Sequence, residues 1–481
     1  MRTPNRGIQK GLFPEDITVS NLRYLYKSGQ VTPSQVALFL YENTEKSDPA
    51  IWISKVPKKE VLRNARVLDR IQGDFLSCKR QTLPKLFGIP FVLKDNIDVQ
   101  GMPSSAGTPA LLELVSENNS PVVQQILDSG AILFGKTNMD ELAMGITSNN
   151  RRFGAVKNPH NPMMFPGGSS GGTAAAVSSN LVPFGLGTDT SGSCLIPAAL
   201  CGCIGFRPSM NRYSQEGVVP LCHTKDTIGI LAKNMEEVTL LDSICATNET
   251  ETLKIFSDHS QIRIGIPARF FYDDLDPELK EVVQNTLEKL KVAGVKLIMV
   301  NLPKNFNKLS SKVTSGVVGG ETLLDLKNYL KEHHSHLSIK DVISQMVGRR
   351  QGYLLTQLEN EGKSDSKYIK ALNTHRPALQ GVFADYFEQD GIHKIHTILV
   401  PTTPLPARPI SEGEEVLFNG KYVSEYIYIR NTSPISNAGL PAISLPVGFT
   451  REGLPVGMTF VGPEGLDSKL LEICKMLEPI I

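Results

Sequence analysis

The 481-residue sequence has no excess charge of either sign: 50 Lys+Arg against 49 Asp+Glu leave a net charge of +1. That balance gives no bulk electrostatic basis for binding nucleic acid or an anionic membrane. No lysine/arginine run with interleaved aromatics occurs. Long apolar runs are missing as well. The most apolar stretch, CLIPAALCGCIGF (194–206), is shorter than a membrane span and broken by Pro197. The first thirty residues contain no continuous apolar segment of the secretory type, and Glu15 and Asp16 come too early for a mitochondrial presequence. Cysteine is sparse and odd in number. Cys78, Cys194, Cys201, Cys203, Cys222, Cys245 and Cys474 form no paired framework in a chain this long, which points to reduced thiols in a cytoplasmic protein. Internal repeats and low-complexity linkers are absent too.

What is present is an alternation of strand-like and helix-like runs. Residues 17–29 and 31–46 read as helices, the second opening at Thr32-Pro33. GIPFVLKD (88–95) reads as a buried strand, residues 121–129 as a helix, AILFGK (131–136) as a strand, and NMDELAMG (138–145) as the start of another helix. TAAAVSSN (173–180) is a helix directly after a glycine turn. IRIGIPARFF (262–271) and VKLIMVNLP (295–303) read as strands around a helix capped by Asp276, with Leu279, Val282, Val283, Leu287 and Leu290 at helical spacing. Residues 320–390 read as mostly helical, and TILVPTTP (397–404), AISLPVG (442–448) and VGMTFVG (456–462) as late strands before a last helix at 468–478. This interleaving predicts an α/β fold: one large domain with a mixed, twisted central sheet covered by helices on both faces. An N-terminal helical segment, residues 1–60, packs on the main body, residues 61–481.

Three segments carry candidate chemistry. Lys94 ends the apolar run FGIPFVLKDNID (87–98). Ser169 sits in FPGGSSGGTAAA (165–176), and Ser193 in GLGTDTSGSCLIPAALCG (185–202). Glycines in such loops let backbone N–H groups approach a ligand. A serine there can act as a nucleophile and a dehydrated lysine as its base. Gly/Ser-rich turns are also commonly only turns, and a strand-end lysine only a solvated side chain, so residue types alone leave both readings open. Three competing motifs are weaker. Gly130-Ala-Ile-Leu-Phe-Gly135-Lys136-Thr137 matches the P-loop pattern, but Ala-Ile-Leu-Phe has strand composition, not that of a phosphate-wrapping loop. Gly167-Gly168-Ser169-Ser170-Gly171 fits the G-x-S-x-G elbow, yet NPHNPMMFP before it is no strand, and His393 and His396 lack a motif context. Cys201, Cys203 and His223 lack zinc spacing and a second ligand pair, so buried apolar thiols are expected.

The stretch from Pro166 to Pro208 resembles the signature of the amidase signature family: PGGSSGG, GLGTDTSGS and PAALCGCIGFRPS in order, with Lys94 upstream in a VLKDN context. GAILFGKTNMDELAMG (130–145), FGAVKNPHNP (153–162) and NAGLPAISLPVG…GLPVGMTFVG (437–462) extend the resemblance over nearly the whole chain. It implies an amidase signature domain over 61–481 and a Ser–cis-Ser–Lys triad. Carried over by motif position, Ser193 is the nucleophile, Ser169 the bridging serine and Lys94 the base. Backbone N–H groups of Thr190, Ser191, Gly192 and Ser193 would form an oxyanion hole, where a donor in comparable sites contributes about 3–4 kcal/mol. Ser170 and Asp189 would support the triad by hydrogen bonds. Lys94 can serve only when neutral, which requires burial to bring it below its free value near 10.4.

Two departures from the family pattern stand out. Ser191 replaces a usual glycine, so the loop either avoids positive φ there or tolerates it with strain. Leu195 and Ile196 occupy positions where an arginine is common, and this speaks against a strongly anionic substrate. GFRPSMNRYSQEGVVPLCHTKDTIGILAKNMEEVTLLDSI (205–244) resembles the indoleacetamide and mandelamide hydrolase branch. That resemblance implies hydrolysis of a small, arylacetamide-like primary amide to acid and ammonia, without metal or cofactor. The alternatives are the ammonia-releasing A subunit of a tRNA-dependent amidotransferase, or an allophanate hydrolase-like enzyme, suggested by DPAIWISKVP (48–57). The expected partner is a small-molecule amide, not nucleic acid or membrane. The oligomeric state is open, a homodimer included.

Overall fold

The computed structural model describes residues 16–247, 256–362, 365–388 and 394–481. Its centre is an eleven-stranded sheet. In chain order the strands are β1 (Trp52–Lys55), β2 (Pro90–Lys94), β3 (Ile132–Thr137), β4 (Phe184–Asp189), β5 (Ile204–Arg207), β6 (Thr227–Ala232), β7 (Arg263–Pro267), β8 (Lys296–Val300), β9 (Thr397–Pro401), β10 (Ala442–Phe449) and β11 (Pro455–Val461). Across the sheet they run β1-β3-β2-β4-β6-β5-β10-β11-β9-β7-β8. Pairing is parallel for β3-β2-β4 and for β9-β7-β8, and antiparallel elsewhere. Every residue of β2, β4, β5 and β6 is buried. Both faces of these strands are covered, so their sequences are mostly apolar without alternation and carry polar residues only at or next to the ends, such as Lys94, Asp189 and Arg207. The expected single α/β domain with a mixed sheet flanked by helices is what the chain forms.

The sheet divides by sequence. Strands before residue 240 fill one half and strands after residue 260 the other, and they meet in the pair β5–β10, where Arg207, Phe206 and Gly205 oppose Ala442, Ile443 and Ser444. The N-terminal stretch forms helices Val19–Lys27 and Pro33–Lys46, each capped by a threonine side chain at Thr18 and Thr32, the second in a capping box with Gln35. The region before residue 60 is not purely helical. It also supplies β1, an edge strand antiparallel to β3. The helix opened by Asp276 spans Pro277–Val292 and buries Leu279, Val283 and Leu290. The long helix of the second half starts earlier than expected, at Phe306, and runs to Glu332.

One expected helix is absent. Residues 138–145 form only a single 3₁₀ turn, Glu141–Ala143, with Leu142 and Ala143 at positive φ. The Asp140 carboxylate turns instead to accept the Ser148 N–H at 3.0 Å, and Leu142 N–H donates to Ala106 O at 2.8 Å. Local bonds that compete with the helical ladder stop the helix there.

β2 and β4 are parallel, so their carboxyl ends lie on one edge of the sheet, where sites form in such folds. The helix Gly171–Ser178 starts beside them. Its first turn is packed against backbone: a Cβ on Gly172 would lie 2.5 Å from Asn138 O and 2.7 Å from Asn138 N. Gly172→Ala should therefore lower stability by about 1–3 kcal/mol, measured as a reduced urea midpoint with an unchanged slope.

Candidate active site

The apolar run of β2 carries Lys94 into the interior, where it is completely buried. Its Nζ lies 2.7 Å from Ser169 Oγ and 2.8 Å from Thr188 Oγ1. Asn96 Nδ2 donates to the same Thr188 oxygen at 3.1 Å, fixing the threonine beneath the lysine. Lys94 makes no ion pair among the described residues. Burial lowers its pKa to about 8, against the opposing pull of nearby acidic groups including Asp140, Asp189 and Asp226.

Ser169 is fully buried and follows a cis Gly168–Ser169 peptide. A side chain at 168 would run into the Asp140 carboxylate. Burial raises Asp140 to about 6. Ser170 links the two loops. Its Oγ donates to Thr188 O at 3.2 Å, and its N–H donates to Ser193 O at 3.2 Å. Ser193 is only half-buried, and its hydroxyl has no protein hydrogen-bond partner among the described residues. Of the three expected triad residues, two are sealed in the interior and one is reached from outside.

The loop 190–194 winds around the Asp189 carboxylate at the end of β4. Oδ1 accepts the Gly192 N–H and Oδ2 the Cys194 N–H, both at 2.8 Å. Arg207 Nη1 donates to Oδ1 at 2.8 Å and to Asp189 O at 2.6 Å. Both side chains are fully buried. This arrangement corrects one expectation. The Gly192 N–H is committed to Asp189 and is not a free oxyanion donor. The N–H groups of Thr190, Ser191 and Ser193 have no protein acceptor among the described residues. The positive φ of the loop falls on Gly192, at +114°, so Ser191 avoids it. Leu195 and Ile196 are buried, Leu195 in the apolar cluster with Cys222 and Phe271.

The competing motifs separate from this site. The P-loop match forms β3, and Lys136 is buried against Pro103 O, Ser104 Oγ and the Asp95 carboxylate at 3.7 Å. His396 packs on Phe256 and lies 3.0 Å from Arg263 Nη2, and His393 lies outside the described residues. His223 pairs with Asp325 at 2.9 Å and approaches Glu321, whereas Cys201 and Cys203 are buried free thiols outside that group. Thr188, Asn96, Asp140 and Arg207 join the site without being marked by the sequence reading. Their signal is a position in VLKDN, GLGTD, TNMDE and GFRPS, but their roles depend on pairings across the sheet.

The Amidase family model matches residues 35–471, and the chain belongs to that family. It is an amide-hydrolysing enzyme of the amidase signature class. The indoleacetamide hydrolase of Agrobacterium vitis is 39% identical over 398 residues, covering 82% of this chain and 84% of that protein. The mandelamide hydrolase of Pseudomonas putida is 32% identical over 486 residues, covering 97% and 92%. A solved amidase structure superposes with a TM-score of 0.82 at 29% identity, covering 96% of this chain and 99% of its own. No helix among the described residues is long and apolar enough to cross a membrane.

Removing one partner of a buried ion pair leaves the other charge uncompensated. Arg207→Met should therefore destabilise the fold by about 3–5 kcal/mol, measured by urea denaturation, with Asp189→Asn also destabilising.

Proposed function

We propose that the chain hydrolyses a small, arylacetamide-like primary amide to a carboxylic acid and ammonia through an acyl-enzyme on Ser193. The observation that carries this reading is the buried, ion-pair-free Lys94 at 2.7 Å from Ser169 Oγ, beneath the loop that bears Ser193. A serine hydroxyl attacks only when its proton has a destination. Ser193 Oγ attacks the amide carbonyl while its proton passes to Ser169, whose own proton moves to neutral Lys94. The carbonyl oxygen takes the negative charge, facing N–H groups of the 190–193 loop. As the C–N bond breaks, the proton returns through Ser169 to the leaving nitrogen, and ammonia departs. Water then attacks the ester by the same relay, releasing the acid and restoring Ser193. Indoleacetamide and mandelamide, the amides in the two relatives' names, support the substrate class.

The deciding assay is ammonia release by the purified chain from arylacetamides and, separately, from glutamine. Turnover of arylacetamides supports the proposal. Release from glutamine alone would favour the amidotransferase-type alternative.

Because neutral Lys94 is the base and its pKa is about 8, kcat/KM should fall about tenfold for each pH unit on the acid side of that value. Ser193→Ala should cost about a thousandfold or more in kcat and abolish labelling by a serine-reactive fluorophosphonate, with the label mapped to Ser193 in the unaltered enzyme. Label on Ser169 or Ser170 would reverse the assignment.

A further inference from the structure

The oxyanion loop is held from a second side by residues 225 and 226. Asp226 Oδ1 accepts the Thr190 hydroxyl at 2.6 Å, and its Oδ2 accepts the N–H groups of Leu221 and Cys222 at 2.7 and 2.8 Å. Lys225 is fully buried, and its Nζ donates to Ser191 Oγ at 3.1 Å. That is the only hydrogen bond from the ammonium to protein, and it makes no ion pair, among the described residues. A buried lysine with no carboxylate partner is costly, and an apolar side chain of similar length would pack the same space without that cost. Ser191 is half-buried, and its carbonyl is pinned by the Thr432 hydroxyl at 2.5 Å. With the lysine donating to its oxygen, the Ser191 O–H proton is directed away from Lys225. A glycine at 191 would leave the ammonium with nothing to hold.

We infer that Lys225 is a positioning residue of the reaction, acting through Ser191: it orients the serine hydroxyl as a donor to the charge that develops on the substrate carbonyl oxygen. The inference rests on the proposed Ser193 chemistry and adds a side-chain donor to the free backbone groups of the loop. The role requires Lys225 to be protonated, whereas Lys94 must be neutral. Lys225 interacts with Cys222, Arg207, Asp226 and Asp189. Burial keeps the Cys222 thiol protonated well above its usual range and raises Asp226 to about 6. Burial brings Lys225 itself down to about 8. The rate should therefore have two limbs: an acid limb from Lys94 and an alkaline limb from Lys225.

The test is the pH profile of kcat/KM for arylacetamide hydrolysis in the full chain and in Lys225→Met, Lys225→Arg, Ser191→Gly and the Lys225→Met/Ser191→Gly double variant. Lys225→Met and Ser191→Gly should each lower kcat by about 10- to 100-fold, at or below the lower end of the range for loss of one oxyanion donor, with KM little changed. The double variant should lose no more than either single one. Lys225→Arg keeps the charge, so it should retain most activity and remove the alkaline limb. Ser191→Gly should also remove that limb without touching the buried lysine. Its profile decides the matter should a Lys225 variant show a lowered urea midpoint. The Arg207 hydrogen bond to residue 225 is made to its carbonyl, at 2.7 Å, so no Lys225 variant deletes that acceptor. An alkaline limb that persists in Ser191→Gly, or fully additive losses, would overturn the inference. Loss of the acid limb, or an unlabelled Ser193, would instead count against the triad reading.

Discussion

The site depends on a single buried carboxylate. Asp189 closes β4 and gathers the Gly192 and Cys194 N–H groups, while Arg207 neutralises it from β5. A carboxylate that accepts several N–H bonds and an arginine is satisfied without water, which is what permits it in the interior. It also gives the loop a fixed centre. Gly192 turns inward at positive φ, so Ser193 is presented outward, and the helix Leu195–Cys201 starts from a set position. The carboxylate thus shapes the loop.

Around that centre the chain arranges two lysines in similar environments. Both are completely buried, and neither has a carboxylate partner among the described residues. Burial without a counter-ion weakens the hold on a proton, whereas an adjacent carboxylate would strengthen it. Lys136, a third buried lysine nearby, is the contrast. It faces Asp95 and the Pro103 carbonyl and serves the interior of the fold. The residue type is the same in all three cases. What differs is the counter-ion: Lys94 and Lys225 bond to hydroxyls and form no ion pair among the described residues, whereas Lys136, bonded to a carbonyl and a hydroxyl, also pairs with Asp95 at 3.7 Å.

Much of this was legible in the sequence, for physical reasons that differ by element. Continuous apolar runs such as GIPFVLKD and TILVPTTP announce buried strands, and proline and capping residues mark helix starts at Thr32 and Asp276. Lys94 and Ser169 are singled out by the motifs that resemble the amidase signature, because a glycine loop and a strand-end lysine alone leave a bland reading open. β1 was missed because Trp52–Lys55 is short, and its pairing partner lies about eighty residues away. The helix expected at 138–145 failed because Asp140 is used by Ser148, a contact that helical periodicity does not encode. The commitment of Gly192, the grip of Arg207 and the burial of Lys225 arise from side chains meeting across the sheet. No local pattern carries them.

The division of the sheet has a consequence for how the protein is made. Each half is contiguous in the chain, but the seam β5–β10 joins residues more than two hundred positions apart. As the chain leaves the ribosome, the first half can pair its own strands and still present β5 as an open, apolar edge. That edge stays uncovered until β10 emerges near the end of translation. Closure is then a late, non-local step of the kind that slows folding. The nascent protein carries that open border while the chain between β5 and β10 is being made, and this interval is the window for misassociation.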